Sequence, residues 1–289
     1  MDVRCLPAPG APSEARRIAE RVAGIALEAG GVSVEDYLDK LAAQGGVIEE
    51  RIVGHDLRSP SVQIQVTPAG EVELLSTHDQ ILGGPRRQSY LGCRFPADAA
   101  YAPAISALGR KIGRRLAEIG VIRRFAIDFV VARSDDGGWR PYAIEINLRK
   151  GGTTHPYETL AHLTGGAYQA AGGTFTTPSG QRKHYVATDH LEAPELRTLG
   201  RSGVLELAAR RDLRFNRLRR TGVVFHMLSS LDELGRTGFT AIENSPEAAE
   251  ELYRRVTVTL LEAADAAATR ATRTRSAALR RPIEVAPVA

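Results

Sequence analysis

Three oxygen-bearing side chains, Asp128, Glu145 and Asn147, carry the clearest chemical signal in the sequence. Asp128 interrupts an apolar run, FAIDFVVARS (125–134), while Glu145 and Asn147 stand two apart in WRPYAIEINL (139–148). Residues two apart on an extended strand share a face. The intervening Asp135-Asp136-Gly137-Gly138 is a turn sequence, so the spacing predicts a long hairpin that brings Asp128 opposite the Glu145/Asn147 pair. Three oxygen donors converging on an otherwise apolar sheet cost desolvation free energy unless a cation compensates. Carboxylate and amide oxygens suit Mg²⁺, an ion usually shared with substrate phosphates. The residues alone leave a second reading open, in which Asp128 begins a bend and Glu145 pairs with a nearby arginine.

Other candidates flank this set. Arg149 and Lys150 follow the second strand directly and are cations suited to an anionic substrate, although neighbours on an extended chain point to opposite sides. Gly151-Gly152 permits either close backbone approach to a ligand or a turn. His155, before Pro156, reads as a helix-entry histidine or a substrate contact, and the roles of His78-Asp79-Gln80 and Gln88 are open at this level. Cys93 stands between Gly92 and Arg94 with no base placed beside it, and reads as a packed thiol. The sequence contains no G-x-S-x-G, H-E-x-x-H, G-x-x-x-x-G-K-[ST] or G-x-G. Hydrolase-elbow, zincin, P-loop and dinucleotide-fold readings therefore lose their usual support.

The elements that must position these residues are legible from periodicity. Residues 1–12 read as a loose lead-in, followed by a helix from Ser13 to Ala29, a Gly30-Gly31 turn and a short helix over Val34–Ala43. GGVIEERIVG, SVQIQVTPAG and EVELLSTHDQ read as three short strands. Ile105, Leu108, Ile112, Leu116 and Ile119 recur at helical spacing over 98–119, an amphipathic helix for one face of a sheet. Strands are predicted at HYVAT (184–188), GVVFHML (222–228) and GFTAIE (238–243), with helices near 192–210. Ser245-Pro246-Glu247 marks a helix start: a serine cap, proline in the first turn and an acid at the positive end of the dipole. Beyond Ala266 the apolar stripe is lost and the reading is a frayed, basic tail.

Composition sets outer limits. The 289 residues are 43% hydrophobic and 25% charged, as in an ordinary globular chain able to bury a core. The 38 basic residues include only four lysines, Lys40, Lys111, Lys150 and Lys183, and the formal net charge of +4 is too small to imply nucleic-acid binding. Two cysteines, Cys5 and Cys93, exclude a disulfide scaffold and a cysteine zinc cage. With no long apolar run and no secretory-type start, the expectation is a cytoplasmic protein with no membrane partner.

Taken in order, GGVIEERIVGHD (45–56), Asp128 and the Glu145-x-Asn147 strand resemble the ATP-grasp enzymes, where a hinge segment precedes a first metal acid and then a Glu-x-Asn pair. THDQILGGPRRQSYLGCRFPA (77–97), EINLRKGGTTHP (145–156) and RTGVVFHMLSSLDELGRTGFTAIENSPEAAEELY (220–253) are similar to the pheganomycin-type peptide ligases, over roughly residues 31–260. The resemblance implies an α+β, ATP-grasp-like fold: a central, mostly antiparallel sheet flanked by helices, with a small C-terminal α/β extension. It implies a helical remnant of the small lobe over 1–44, a nucleotide- and metal-binding core over 45–173, a family-specific extension over 174–265 and a basic disordered tail over 266–289. It also implies ATP and Mg as cofactors. Glu49 or Glu50 and the backbone at Ile52 would hold adenine, Asp56 the ribose, Asp128, Glu145 and Asn147 the metal, and Arg149 and Lys150 the acyl phosphate or carboxylate. The implied activity is ADP-forming amide-bond formation between a carboxylate and an amine-bearing amino acid or peptide.

The family's strand lysine and Gly-rich phosphate loop are expected some tens of residues before the hinge, and only Lys40 precedes Gly45. The expectation is thus a ligase lacking its N-terminal part. It would be a piece of a complete ligase, a homo-oligomer or half-enzyme whose lobe comes from a partner chain, or a non-ligating nucleotide- or peptide-binding remnant. A nucleic-acid-binding reading of the arginine-rich tail lacks interleaved aromatics.

Overall fold

A computed structural model describes residues 12–22, 24–27, 31–47, 49–85 and 87–279. The lead-in over 1–11, Gly30 of the predicted turn, Cys5 and the last ten residues lie outside the described residues. The chain divides into two compact units, the smaller formed by 1–57, 82–90 and 132–140, the larger by 58–81, 91–131 and 141–289.

In the smaller unit, helix α1 (Pro12–Val22) stops short of the predicted Ala29, whereas α2 (Val34–Gln44) forms as expected. Ser33 caps α2, its Oγ accepting from the Asp36 amide at 3.0 Å, and Gly45 ends it at φ 72°, a conformation a side chain would oppose. The segment 49–54 belongs to no helix or strand, which corrects the strand expected there. Its apolar residues are not buried as a strand's would be: Val53 is 74% exposed. Regular pairing resumes at β1 (Leu57–Arg58), where the Arg133 amide donates to the Asp56 carbonyl at 2.9 Å. The predicted turn is present: Asp136 Oδ1 accepts from the Gly138 amide at 2.9 Å and the Ser134 hydroxyl at 2.6 Å.

The larger unit is built on a sheet of β2 (Pro60–Val66), β3 (Val72–Gly83), β4 (Ser89–Phe95), β5 (Arg123–Arg133), β6 (Trp139–Asn147), β9 (His184–Glu192), β10 (Gly222–His226) and β11 (Arg236–Glu243). With β1 the strand order is β1-β5-β2-β3-β4-β9-β11-β10, and β6 also pairs with β5. A separate two-stranded ribbon joins β7 (Ala167–Gln169) to β8 (Thr174–Thr176). The pairs β2–β3, β2–β5, β4–β9, β9–β11, β10–β11 and β7–β8 are antiparallel. Helix α3 (Ala102–Glu118) lies on β2 because Gly109 and Gly113 clear a path. A Cβ at Gly109 would come within 2.9 Å of Val62, and one at Gly113 within 2.8 Å of Val72.

Helix α4 (Thr154–Thr164) follows the β6 exit loop, and the Arg124–Glu158 ion pair ties it to β5. Phe95 anchors an aromatic cluster between β4 and this layer, stacked on Tyr185 at 4.9 Å with Tyr157, Tyr168 and Phe175 around it.

After a 3₁₀ turn (Pro194–Thr198), helices α5 (Gly200–Arg210), α6 (Ser230–Leu234) and α7 (Pro246–Leu279) cover the β9-β11-β10 end. Leu252, Val256, Leu260 and Ala264, four residues apart, place one stripe of α7 on Phe239, Ala241 and Leu196. Ser245 opens α7 as predicted, its Oγ accepting from the Ala248 amide at 3.2 Å. The helix continues to Leu279, past the point where a frayed tail was expected. The run after Ala266 is rich in Ala and Arg, residues of high intrinsic helix propensity, so loss of the apolar stripe does not end the helix.

Candidate active site

Strand β5 separates two environments by its alternation. Phe125, Ile127, Phe129 and Val131 are buried on one face, and Asp128 faces the other. The neighbouring β2 sets Ser61 directly across from Asp128, and β3 in turn sets His78 across from Ser61. Gln80, two residues beyond His78, therefore shares the face of Ser61 and Asp128.

On the other flank β6 supplies Asn147, whose Nδ2 donates to Asp128 Oδ2 at 3.1 Å. Asp128 thus sits among hydrogen-bonding side chains from Ser61, Gln80, Asn147 and Glu145. Ser61 is 1% exposed and its Oγ accepts from Gln63 Nε2 at 3.0 Å, which leaves its own hydrogen for the carboxylate. Burial pushes the Asp128 carboxyl above the usual carboxylate range, and the charge of Glu145 adds to this, while the Ser61 and Gln80 hydrogen bonds oppose it.

The geometry therefore brings Asp128, Glu145 and Asn147 together. It also adds two residues that the sequence reasoning did not select. Ser61 is an unremarked polar residue in a buried strand, and only its cross-strand register identifies it. Gln80 stood in a segment whose roles were open. Two carboxylates repelling each other beside an amide oxygen form a hard-oxygen set with unsatisfied negative charge, which fits a divalent cation shared with phosphate oxygens. Among the described residues no three His, Cys, Asp or Glu side chains gather as a metal group. The fit here thus rests on two carboxylates and one amide. Glu145 is exposed and Asn147 half-buried, so the set is open on the β6 side.

Arg149 and Lys150 lie on the exposed exit loop of β6. The Arg149 amide donates to the Asn147 carbonyl at 2.7 Å, which holds the start of this loop against the strand, and Arg149 Nη1 reaches the Lys150 carbonyl at 3.4 Å. Glu49, Glu50, Ile52 and Asp56 belong to the smaller unit: both glutamates are exposed, and Ile52 and Asp56 are half-buried.

His78 is fully buried, paired through Nε2 with the Tyr185 hydroxyl at 2.8 Å, and burial lowers its pKa to about 3. Cys93 is fully buried, in keeping with the packed thiol read from the sequence. His155, on α4, packs edge-on against His226 at 4.6 Å between ring centroids. Burial and then the His155 charge lower the pKa of His226 to about 4.

The sequence matches the family described as "IQCH-like, ATP-grasp" over residues 20–169, just over half of the chain. Residues 203–256 match the family described as "PGM1 C-terminal domain". A relative, L-propargylglycine–L-glutamate ligase from Streptantibioticus cattleyicolor, is 34% identical over 220 residues. That alignment covers 76% of this chain and 44% of the ligase, so the chain spans less than half the length of the curated relative it matches. Among solved structures, N5-carboxyaminoimidazole synthetase from Staphylococcus aureus complexed with ADP aligns at TM-score 0.45 and 12% identity, covering 72% of this chain and 50% of that one. The phosphoribosylaminoimidazole carboxylase ATPase subunit from Aquifex aeolicus aligns at TM-score 0.45 and 14% identity, covering 74% and 58%. The expected mixed α and β architecture around a large antiparallel sheet is present, and the family match spans the strand that carries Asp128 and the strand that carries Glu145 and Asn147. The chain belongs to the ATP-grasp family.

Proposed function

We propose that this chain takes part in ATP- and Mg-dependent ligation of a carboxylate to an amine, with amino acids or short peptides as the substrate class. The observation that carries this reading is the Asp128–Glu145–Asn147 set on paired strands of an ATP-grasp chain, buttressed by Ser61 and Gln80. The identity to a ligase named for joining L-propargylglycine to L-glutamate supports the substrate class.

In this reading Asp128, Glu145 and Asn147 hold Mg²⁺, which when bound neutralises charge on the nucleotide phosphates. Glu49 or Glu50 with the backbone at Ile52 meets adenine, and Asp56 meets the ribose. A substrate carboxylate oxygen attacks the γ-phosphorus and ADP leaves, giving an acyl phosphate. The amine nitrogen then attacks the acyl carbon, inorganic phosphate leaves, and the nitrogen loses a proton. Arg149 and Lys150 on the exposed exit loop are the cations we assign to the carboxylate or acyl phosphate, where anion must approach anion. We assign the nucleotide- and metal-binding core to 45–173 and the family-specific extension to 174–265, which the two family matches over 20–169 and 203–256 support.

A non-ligating, nucleotide-binding reading, or one that needs a partner chain, has one observation in its favour. Lys40, in the helix before the predicted hinge, is exposed on α2 rather than carried on a strand facing phosphates. One experiment separates the readings. ADP release is measured with Mg·ATP, a panel of amino acids and a dipeptide, alongside thermal shift with Mg·ATP. Substrate-dependent ADP release lost in Asp128→Ala supports ligation. A thermal shift without ADP release supports nucleotide binding alone. No shift with millimolar Mg·ATP refutes the nucleotide assignment.

A further inference from the structure

The C-terminal layer of the larger unit contains a cleft of about 570 Å³ that the ligation chemistry does not use. Segments distant in sequence build it: the turn after α5, the loop before β10, the end of β11 and one face of α7. They contribute four guanidinium side chains, Arg211, Arg214, Arg219 and Arg255, against the two carboxylates of Asp212 and Glu243.

The charges do not cancel in pairs. Arg219 meets Asp212 at 3.3 Å. Glu251, the acid on α7 nearest in sequence to Arg255, is taken by Arg254 at 2.7 Å. Arg255 acts on Glu251 only through its charge, and neither it nor Arg211 or Arg214 forms an ion pair within 4.0 Å among the described residues.

Beside the cleft is Lys183, whose residue is 0% exposed. Its ammonium donates to Asn244 Oδ1 at 2.6 Å and the Arg219 carbonyl at 3.2 Å, both neutral acceptors. Glu243 acts on it only through its charge, with no ion pair formed among the described residues. A buried ammonium whose hydrogen bonds all go to neutral groups is costly; the Glu243 charge offsets part of that cost, the Arg220 charge adds to it, and a nearby bound anion offsets more.

The backbone holds this arrangement in place. Asn216 Oδ1 accepts from the Leu218 and Arg219 amides at 2.9 and 3.0 Å, and the Asn216 amide donates to the Thr221 carbonyl at 2.7 Å. Gly222, at φ 121°, lies so close to Arg214 that a Cβ would fall 2.5 Å from the Arg214 carbonyl oxygen. The loop carrying the arginines is thus pinned to β10 and not left to solvent. Five strand spacings separate β5 from β11, so the cleft stands roughly 20–25 Å across the sheet from Asp128.

We propose that this cleft is a second site, one for an oxyanion, taking a phosphate- or carboxylate-bearing ligand on the forks of Arg214 and Arg255 with Arg211 beside them. Guanidinium geometry matches both oxyanions bidentately, so the two sources share one chemistry.

The test titrates the intact chain with pyrophosphate and, separately, with citrate at constant ionic strength, reading affinity by calorimetry and stability by thermal shift. Sodium chloride serves as the reference. Binding of either anion beyond the chloride response is expected, weakened about tenfold by Arg214→Gln or Arg255→Gln and more by the pair. Asp128→Ala and Arg115→Gln should leave it unchanged. Stronger binding of pyrophosphate identifies a phosphate-bearing ligand, and stronger binding of citrate a carboxylate-bearing one. A response no larger than that of chloride, an unchanged affinity in the folded Arg214→Gln/Arg255→Gln variant, or loss of binding in Asp128→Ala overturns the proposal.

Discussion

Asp128→Asn should make the ligand-free protein more stable while abolishing its response to Mg·ATP. The substitution keeps the shape of the side chain and removes one of two neighbouring negative charges. For two unit charges about 4 Å apart at an effective dielectric of about 20, repulsion is about 4 kcal/mol. Solvent at the exposed Glu145 reduces this to about 1–2 kcal/mol. The neutral amide gives up charge-assisted hydrogen bonds from Ser61, Gln80 and Asn147, a loss of about 1 kcal/mol, and gains an N–H donor toward Glu145. The sign follows from the raised Asp128 pKa: its surroundings favour a neutral side chain over a charged one. The expected gain is about 1 kcal/mol, or a Tm higher by about 2–4 °C. In the parent, Mg·ATP at a hundredfold excess over Kd adds about 2.7 kcal/mol, a shift of about 5–10 °C that the variant should lack. Differential scanning fluorimetry with and without Mg·ATP reads both effects. A variant that melts lower than the parent and keeps the Mg·ATP shift would show Asp128 to be a structural residue and refute the metal assignment.

Gln80→Ala removes a hydrogen bond to Asp128 without touching a carboxylate, and should weaken Mg-dependent nucleotide binding about tenfold or more while leaving Mg-free binding alone; titration of both forms checks it. His78 is held neutral by burial, its pKa lowered from 6.5 to about 3, so its contribution to stability is present above pH 6.5 and is lost as pH falls toward 3. At pH 5 this amounts to about 2 kcal/mol, and urea unfolding across pH 7 to 5 should show a correspondingly flatter profile for His78→Phe. Phe239→Ala, at a fully buried position beneath α7, should cost about 3–5 kcal/mol in the same assay. Gly222→Ala should destabilise by about 3 kcal/mol or more, since its Cβ would meet a backbone oxygen at 2.5 Å at a φ of 121°.

The local features were readable because their causes are local. Alternation in FAIDFVVARS and WRPYAIEINL, with four turn residues between them, is enough to specify a hairpin, and the hairpin brings Asp128 to Asn147. The same holds for the Ser245 cap and for the four-residue spacing of Leu252, Val256, Leu260 and Ala264 on α7. Local pattern misled where a non-local requirement decided. GGVIEERIVG has strand-like content, yet a strand exists only when another edge accepts its hydrogen bonds, and residues 49–54 have no such pairing. The Ala- and Arg-rich run after Ala266 lost its stripe but kept its propensity, so α7 continues to Leu279.

The sequence by itself determined which side chains carry oxygen donors and which strands display them, because the two-residue period of a strand is written in consecutive residues. Tertiary structure alone decided what surrounds them. Ser61 faces Asp128 through the register of β2 on β5, and Gln80 joins through β3, a pairing set by the packing of Val62, Ile64, Ile127 and Phe129. The arginine cleft depends even more on the fold: Arg211, Arg214, Arg219 and Arg255 are scattered among the chain's many arginines, and the packing of α7 against β11 is what gathers them around one opening.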